Sequence, residues 1–513
     1  MFVKDILDYF TQKIQQYQHK FASEEEMNDF LNFSLRKLYE EYQLDCMDKE
    51  KVCHTLLSDL KLQNLLRNGS AREPYSVTFT IPESIVDDFD VEGLEESGVQ
   101  GLTGVKEGNT YTISGTPVLT DPKVPQEVSL TLKAKYKGWV TGKPLVVNTL
   151  RFVINANPRD LWNDNPTPTD IEYFKPDEDC FYVKVPEKDG CPQKDIVAAS
   201  MRGRSHANEN PGKPRDDDFS ITYSENTGWY VMAVADGAGS AKFSRWGAKI
   251  AVETSVKHCL ECLEDTEEFE KYIAAYNEAT GNGETDRATE LNKAIGNKLY
   301  SILCNAAYKS HKAIKDECQS RNVSIREKAA ALFEAQKALN PNAVETKPVE
   351  TQIKDYATTL LLAICKKFDF GWFVATWWVG DGAIGLYKKG ESIKIMGEPD
   401  EGEFGGQTRF LTMSDIVGSF ESLYTRMRFG IEPEFTALML MTDGISDPKF
   451  ETDVNLNSIA KWDALWADLA GDNEEKIGVD LTDDNEEAKD QLLQWSKFYS
   501  RSNHDDRTIA ILY

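Results

Sequence analysis

The sequence is poor in basic residues. It has 58 Lys and Arg against 85 Asp and Glu, a net charge of −27 over 513 residues. Such a surface repels nucleic-acid backbones and anionic membranes, so we expect neither nucleic acid nor membrane among the partners. The sequence also has no apolar run of about twenty residues, and acids interrupt its first ten positions, unlike the core of a signal peptide. We expect a cytoplasmic protein.

Several kinds of catalytic and metal-binding motif are also missing. The nine cysteines are odd in number and scattered, so they do not suggest a disulfide framework. His258-Cys259 and Cys262 have no second Cys or His pair to complete a zinc tetrahedron. There is no GxSxG elbow and no P-loop. These absences argue against a serine nucleophile of the hydrolase type and against a P-loop nucleotide site.

The length predicts two or three domains. Residues 1–70 have apolar residues at helical spacing, and Ser23 followed by Glu26 fits a capping box. Residues 74–156 alternate apolar and polar positions, as strands do. Residues 157–194 are rich in Pro, Asp and Asn, which indicates a linker or an extended strap. Residues 195–513 form the remaining, largest predicted domain.

Three apolar stretches in that domain each end in an acid beside a glycine. They lead into Asp236-Gly237, Asp381-Gly382 and Asp443-Gly444. Two further acidic pairs come just before apolar stretches, at Asp217 and at Asp505. In an antiparallel sheet the start of one strand lies beside the end of its neighbour, so all five acids can gather at one edge.

Carboxylates gathered in this way repel one another and require cations or protons. Oxygen-only ligands suit hard divalent ions such as Mg²⁺ and Mn²⁺. We therefore predict a site that binds more than one metal ion. Strands followed by helical stretches predict an α+β fold, in which helices flank an antiparallel β-sandwich. A helical segment and a small all-β domain precede it.

Two stretches resemble known families. The run GNTYTISGTP at 108–117 resembles a short signature of immunoglobulin-like modules. The order of motifs over 195–513, Asp-Asp before a strand, then Asp-Gly-x-Gly, Thr-Thr, Gly-Asp-Gly, Thr-Asp-Gly and a final Asp-Asp-x-Thr, resembles the metal-dependent protein phosphatases of the PPM or protein phosphatase 2C type. The resemblance is greatest to their divergent bacterial branch.

The phosphatase resemblance implies roles for individual residues. Asp236 matches the acid that bridges two catalytic metals, and the carbonyl of Gly237 matches a ligand of one of them. Asp217, Asp443 and Asp505 match the other metal-binding acids. Asp381 matches an acid of a third, weaker metal site. Asp506 replaces the usual Asn, a departure from the family pattern that adds a negative charge.

A second departure concerns phosphate binding. The family commonly has an arginine ahead of the early acidic motif, where this sequence has His206. Arg204 and Arg215 are alternative replacements, since a guanidinium can bind two phosphate oxygens. His206 is also a candidate general acid.

The resulting prediction is an Mn²⁺- or Mg²⁺-dependent phosphatase that acts on phosphoserine and phosphothreonine in proteins. A cognate Ser/Thr kinase is an expected partner, by analogy with the bacterial branch. Two alternatives stay open. One is a catalytically silent scaffold that keeps the fold, suggested by the missing arginine and by Asp506. The other is a hydrolase of small phosphoesters.

Overall fold

The computed structural model describes residues 22–137, 145–187, 193–400 and 408–513, together with Gln12 and Gln16. It divides into two compact units, Met1–Leu161 and Trp162–Tyr513. The apolar positions before residue 22 that predicted a first helix lie outside the described residues. No described helix has an apolar stretch long enough to cross a membrane.

Unit 1 begins with a long helix and continues as two β-sheets. The helix, α1 (Glu24–Asp59), starts at the predicted cap: the Ser23 hydroxyl accepts from the Glu26 amide at 3.1 Å. The Glu26 carboxylate in turn accepts from the amide of Ala22, one residue earlier than a capping box requires. A short helix, α2 (Pro158–Leu161), ends the unit.

The two sheets of unit 1 share one apolar core. The sheet orders are β1-β7-β6-β3 and β2-β5-β4. The core also includes Cys53 and Leu57 of α1, so the end of the helix packs with the strands. This unit is an all-β region preceded by a helix, and its immunoglobulin-like character stays a prediction. The strands are β1 (Gly69–Ser70), β2 (Tyr75–Thr80), β3 (Val86–Glu92), β4 (Gln100–Glu107), β5 (Thr110–Val118), β6 (Gln126–Tyr136) and β7 (Leu145–Asn155).

Unit 2 contains the predicted antiparallel β-sandwich. One sheet has the order β10-β11-β12-β13-β16 and the other has the order β15-β14-β17-β18-β9-β8. The strands are β8 (Glu178–Val183), β9 (Ile196–Met201), β10 (Asp218–Tyr223), β11 (Trp229–Ala235), β12 (Leu360–Phe368), β13 (Gly371–Val379), β14 (Ala383–Lys388), β15 (Ser392–Gly397), β16 (Met427–Glu432), β17 (Ala437–Met441) and β18 (Arg507–Leu512).

Helices cover both outer faces of this sandwich. The first α-helix of the unit is α3 (Arg204–Asn208). The outer face of the five-stranded sheet is covered by α4 (Ser244–Cys262), α5 (Glu267–Gly281), α6 (Thr285–Leu299) and α7 (Asn305–Leu339), which α8 (Ser414–Val417) and α9 (Phe420–Tyr424) follow in the chain. The outer face of the six-stranded sheet is covered by α10 (Asp443–Phe450), α11 (Ile459–Leu469) and α12 (Ala488–Trp495). A π-helical turn, Tyr300–Cys304, joins α6 to α7.

Strand β11 shows why the core strands read as continuous apolar runs. Its side chains alternate between two cores: Trp229 and Val231 face the helices, whereas Tyr230 and Met232 face the other sheet. All seven of its residues are buried. A strand covered on both faces needs no polar alternation.

Part of the segment predicted as a linker or an extended strap is a strand. Within 157–194, Glu178–Val183 forms β8, which pairs with β9 from Glu178↔Met201 to Val183↔Ile196. Prolines and acids on either side obscure this edge strand in the sequence. The domain limits drawn from the sequence stay predictions, and unit 2 of the structure already begins at Trp162.

Candidate active site

One edge of the unit 2 sandwich collects strand ends that are followed or preceded by acids. Asp218 pairs with Ala235 in the register of β10 and β11, so Asp217 and Asp236 lie just beyond that pair. In the other sheet Ala383 pairs with Met441, which places Gly382 near Thr442. We call this end of the sandwich the acidic edge. Its members are the predicted metal ligands Asp217, Asp236, Asp381, Asp443 and Asp505.

Three of these acids lie very close together. Carboxylate oxygens of Asp236, Asp381 and Asp443 are all within 4.8 Å of one another. They arrive from three separate places in the chain: the end of β11, the turn after β13 and the first residue of α10. Loop closure over such separations costs entropy and repulsion opposes it, so the surrounding core must hold the arrangement.

Threonine hydroxyls fix two of the acidic segments. The Asp236 amide donates to the Thr359 hydroxyl at 2.8 Å, and the Asp236 carbonyl accepts from the Thr358 hydroxyl at 2.9 Å. The Thr442 hydroxyl donates to Asp217 Oδ2 at 2.9 Å and accepts from the Thr508 amide at 3.0 Å. Thr442 thereby ties the start of β10 to the end of β17 and the start of β18.

Two glycines allow the backbones to approach at this edge. A Cβ atom at Gly237 would lie 2.8 Å from the carbonyl oxygen of Asp216. A Cβ atom at Gly444 would collide with the carbonyl oxygen of Asp506. Larger residues at either position would push the acidic segments apart.

Burial and mutual repulsion raise the pKa values of four acids at this edge, Asp217, Asp236, Asp443 and Asp505. Burial and then the nearby carboxylates raise the pKa of Asp217 to about 7. The pKa values of Asp236 and Asp443 lie well above the usual range for the same two reasons in the same order. The pKa of Asp505 also rises, through local desolvation and then its neighbour Asp506, although Asp505 as a residue is exposed. The acidic edge thus lacks enough positive charge of its own.

These residues fit a divalent cation. Asp381 Oδ1 is buried and has no hydrogen-bond partner among the described residues. Oxygens around Mg²⁺ at about 2.1 Å are separated by about 3.0 to 4.2 Å, so the three clustered carboxylates need little movement to share an ion. All the candidate side-chain ligands are hard oxygens, the preferred donors for Mg²⁺ and Mn²⁺.

Asp505 lies on the side of the edge occupied by His206. Oxygens of Asp505 and Asp506 and a ring nitrogen of His206 lie within 4.8 Å of one another. Asp505 still adds to the electrostatic field at Asp236 and Asp443. It therefore belongs to the same charged environment but not to the group formed by Asp236, Asp381 and Asp443.

His206 is a buried cation in this arrangement. Its Nδ1 lies 3.2 Å from Asp506 Oδ1, and its Nε2 lies 3.8 Å from Asp216 Oδ2. Burial opposes its protonation, but Asp506 and then Asp216 outweigh that effect and raise its pKa to about 9. Both ring nitrogens face carboxylates.

Asp506 is held by backbone donors as well as by His206. The amides of Gly203 and Asp216 both donate to its carboxylate. Burial works against the charge, yet His206 and these amides keep the pKa of Asp506 below its usual value. His206 therefore compensates the negative charge that Asp506 has in place of the usual Asn.

Comparisons with known proteins match the part of the chain that contains most of these acids. The family model described as Protein phosphatase 2C matches residues 202–483, more than half of the chain. The chain belongs to the protein phosphatase 2C family. No curated protein matches it.

The fold comparison gives phosphatases of low sequence identity. A serine/threonine phosphatase from Staphylococcus aureus is 11% identical, with 62% of this chain and 93% of that chain covered and a TM-score of 0.31. A serine-threonine phosphatase 2C from Toxoplasma gondii is 13% identical, with 65% and 98% covered and a TM-score of 0.32. The serine/threonine phosphatase of S. agalactiae is 12% identical, with 62% and 99% covered and a TM-score of 0.30.

The two candidate phosphate-binding arginines of this family member differ in position. Arg215 is 1% exposed and donates to the Ser200 carbonyl at 3.2 Å, so it is enclosed in the sandwich. Arg204 is partly exposed on α3 and forms no ion pair within the described residues. Its charge acts on His504 and Arg507, beside the last acidic pair. Arg204 is the better placed of the two.

Several residues of the site had no role assigned to them from the sequence. Asp447 lies one helical turn after Asp443, and burial raises its pKa before Asp381 and Asp505 add to the effect. Thr359 and Thr442 supply the hydroxyls described above. An acid four positions after Asp443 on a helix was a usable signal, whereas the hydroxyl contacts depend on tertiary register.

Proposed function

We propose that this protein is a metal-dependent phosphatase that hydrolyses phosphoserine and phosphothreonine in proteins. The main support is the convergence of Asp236, Asp381 and Asp443 at one edge of a family-typical sandwich. Two Mn²⁺ or Mg²⁺ ions, when bound, would supply Lewis acidity that lowers the pKa of water and offsets charge on phosphoryl oxygens. A third ion at Asp381 stays a prediction.

The acids at the acidic edge have different proposed roles in binding the ions. Asp236, with Gly237 beside it, is the proposed shared ligand because it lies centrally and its backbone is fixed by Thr358 and Thr359. Asp443 and Asp381 lie within 4.8 Å of it, and Asp217 and Asp505 complete the set. The raised pKa values of Asp217, Asp236, Asp443 and Asp505 indicate that cations would be bound with release of protons.

Basic residues near the edge have two different proposed uses. Arg204 has no ion pair in the described part of the chain, so its guanidinium is free to bind a substrate phosphate through two oxygens. His206 stays a candidate proton donor to the leaving alcohol. Its enclosure between Asp506 and Asp216 better supports a role in orienting the last acidic pair.

The neighbouring cleft has room for a peptide segment. A cleft of about 1110 Å³ opens beside Asp505, with Ser205, Asp447 and His504 in its lining. Sites for small ligands enclose roughly 300–1,000 Å³. A polypeptide segment around the phosphorylated residue would use this larger space. A kinase that produces the phosphoprotein stays a predicted partner.

Phosphate release from a phosphoserine peptide with added Mn²⁺ tests the proposal. Asp236→Asn should lower turnover by more than about 100-fold, because even changes behind the metal ligands cost about 10–100-fold. Asp463→Asn is a matched control, since Asp463 accepts from Tyr387 and Gly390 at the other end of β14. It should keep the activity.

Three other results would separate the alternatives. Equal turnover by wild type and Asp236→Asn would refute the proposed site. Tight Mn²⁺ binding without turnover of any phosphopeptide would indicate a silent scaffold. Faster turnover of a small aryl phosphate than of phosphopeptides, at equal Mn²⁺, would indicate a small-ester hydrolase.

A further inference from the structure

Residues 162–177 run along the acidic edge without forming a helix or a strand. We call this segment the strap. One end of it is bound to α3, the helix that contains His206. The Asn165 amide donates to the Ala207 carbonyl at 2.8 Å, and the Asn165 side chain donates to the Glu209 carbonyl at 2.9 Å. Arg202 donates to the Asn165 carbonyl at 2.9 Å.

The other end of the strap is anchored on the helical layer. The ring of Tyr173 stacks on Trp246 with centroids 4.7 Å apart, and its hydroxyl donates to Glu317 at 2.7 Å. Arg245 Nε donates to the Tyr173 carbonyl at 2.9 Å. The strap is therefore fixed at two places ahead of the point where it passes the early acidic motif.

Lys175 lies at that point. It is 4% exposed, and its ammonium donates to the carbonyl of Asp217 at 2.5 Å. The same ammonium lies 2.8 Å from Asp218 Oδ2 and 3.5 Å from the Arg245 carbonyl. A buried lysine is stable only with such partners, because an unpaired buried charge is very costly.

The geometry of β10 explains what this contact can do. Consecutive side chains at the start of a strand point to opposite faces. The Asp218 carboxylate points to Lys175, and the Asp217 carboxylate points the other way, to the Thr442 hydroxyl. Lys175 thus binds the backbone carbonyl of Asp217 on one side of the chain, and Thr442 binds the Asp217 carboxylate on the other side.

We propose that Lys175 is a positioning residue for metal binding: it sets the Asp217 carboxylate at the acidic edge by fixing the Asp217 carbonyl and the Asp218 carboxylate. The inference rests on the proposed metal-dependent function. Lys175 acts through the backbone, so its effect should appear in metal affinity itself. Partners behind metal ligands typically change that affinity by about 10–100-fold.

Calorimetric titration of the full chain with Mn²⁺ tests this role. Lys175→Met should bind Mn²⁺ about 10–100-fold more weakly than wild type. Lys366→Met is the matched control: its ammonium also contacts one carbonyl, Thr227 at 2.6 Å, and one carboxylate, Glu270 at 2.5 Å. Lys366 pairs with Trp229, at the end of β11 farthest from Asp236. This control should bind Mn²⁺ as wild type does.

A double variant covers the case in which Lys175→Met does not fold. Lys175→Met with Asp218→Asn leaves no unpaired buried carboxylate, so it should fold while the Asp217 carbonyl still lacks its donor. Its Mn²⁺ affinity should stay about 10–100-fold low. Affinity within twofold of wild type in either folded Lys175 variant overturns the inference alone. A wild-type chain that binds no Mn²⁺ refutes the proposed function and this inference with it.

Discussion

The two units of this protein are both built around paired β-sheets, but they place their acids differently. In unit 1, strand β2 alternates buried and exposed residues, and acids such as Asp88 lie on solvent faces beside lysines such as Lys106. In unit 2, strand β11 is buried throughout, and the acids lie at strand ends beside one another.

This difference separates structural acids from candidate functional ones. The Lys106 ammonium beside Asp88 lowers the pKa of that carboxyl, whereas burial raises the pKa of Asp217. A paired exposed acid contributes solubility and little stability. Buried acids without sufficient cations destabilise the metal-free fold, which is tolerated where a ligand offsets the cost.

The difference between the units should have its largest effect on how the stability of the metal-free protein depends on pH. The pKa values of Asp216 and Asp217 rise to about 6 and about 7 in the folded state. Folded protein therefore binds more protons than unfolded protein above about pH 4, and unit 2 should lose about 2–4 kcal/mol as the pH rises from 5 to 7.

Tryptophan fluorescence during urea unfolding in chelator measures this loss. Nine of the ten tryptophans lie in unit 2, so the signal reports that unit. Added Mn²⁺ should remove the decline, because bound cations favour the ionised carboxylates. Metal-free stability that stays constant or increases over this range would contradict the assignment of the acidic edge.

Removing one carboxylate charge from each unit should change the stability of the metal-free protein by a smaller amount. The change should be a gain in unit 2 and a loss in unit 1. Asp443→Asn should stabilise the metal-free protein at pH 7 by about 1–2 kcal/mol, since it relieves repulsion at the acidic edge. This exceeds the roughly 0.3–1 kcal/mol that a carboxylate contributes at the N-terminus of a helix such as α10.

The matched change in unit 1 is Asp88→Asn. It removes an exposed ion pair and should lower stability by at most about 1 kcal/mol. Urea denaturation of both variants in chelator gives the two signs: fluorescence follows unit 2, and the part of the circular-dichroism change that fluorescence does not show follows unit 1. Destabilisation by Asp443→Asn would mean that this carboxylate is already compensated within the chain.

The sequence was sufficient for the parts of the site that depend on strand ends. Continuous apolar runs ending in Asp-Gly placed Asp236, Asp381 and Asp443 at one edge, because antiparallel pairing leaves few other positions for them. The helical layers and the Ser23 cap also follow from local patterns. These features depend on short-range periodicity, which a sequence displays directly.

The contacts that support the site could not be predicted in the same way. Lys175 lies in a segment whose prolines and acids suggest a linker, and only the folded chain shows it behind Asp217. The charge of His206 depends on Asp506, three hundred residues later in the chain. Such contacts depend on the tertiary structure and produce no periodic pattern in the sequence.

A crystal of the full chain soaked in Mn²⁺, with the metal located by anomalous scattering, tests the metal site most directly. Manganese should lie between Asp236, Asp381 and Asp443, with Asp217 and Asp505 close by. The chain has a built-in comparison, since oxygens of Asp195, Asp483 and Asp484 also lie within 4.8 Å of one another. Manganese at that second group, with none at the acidic edge, would contradict the central claim.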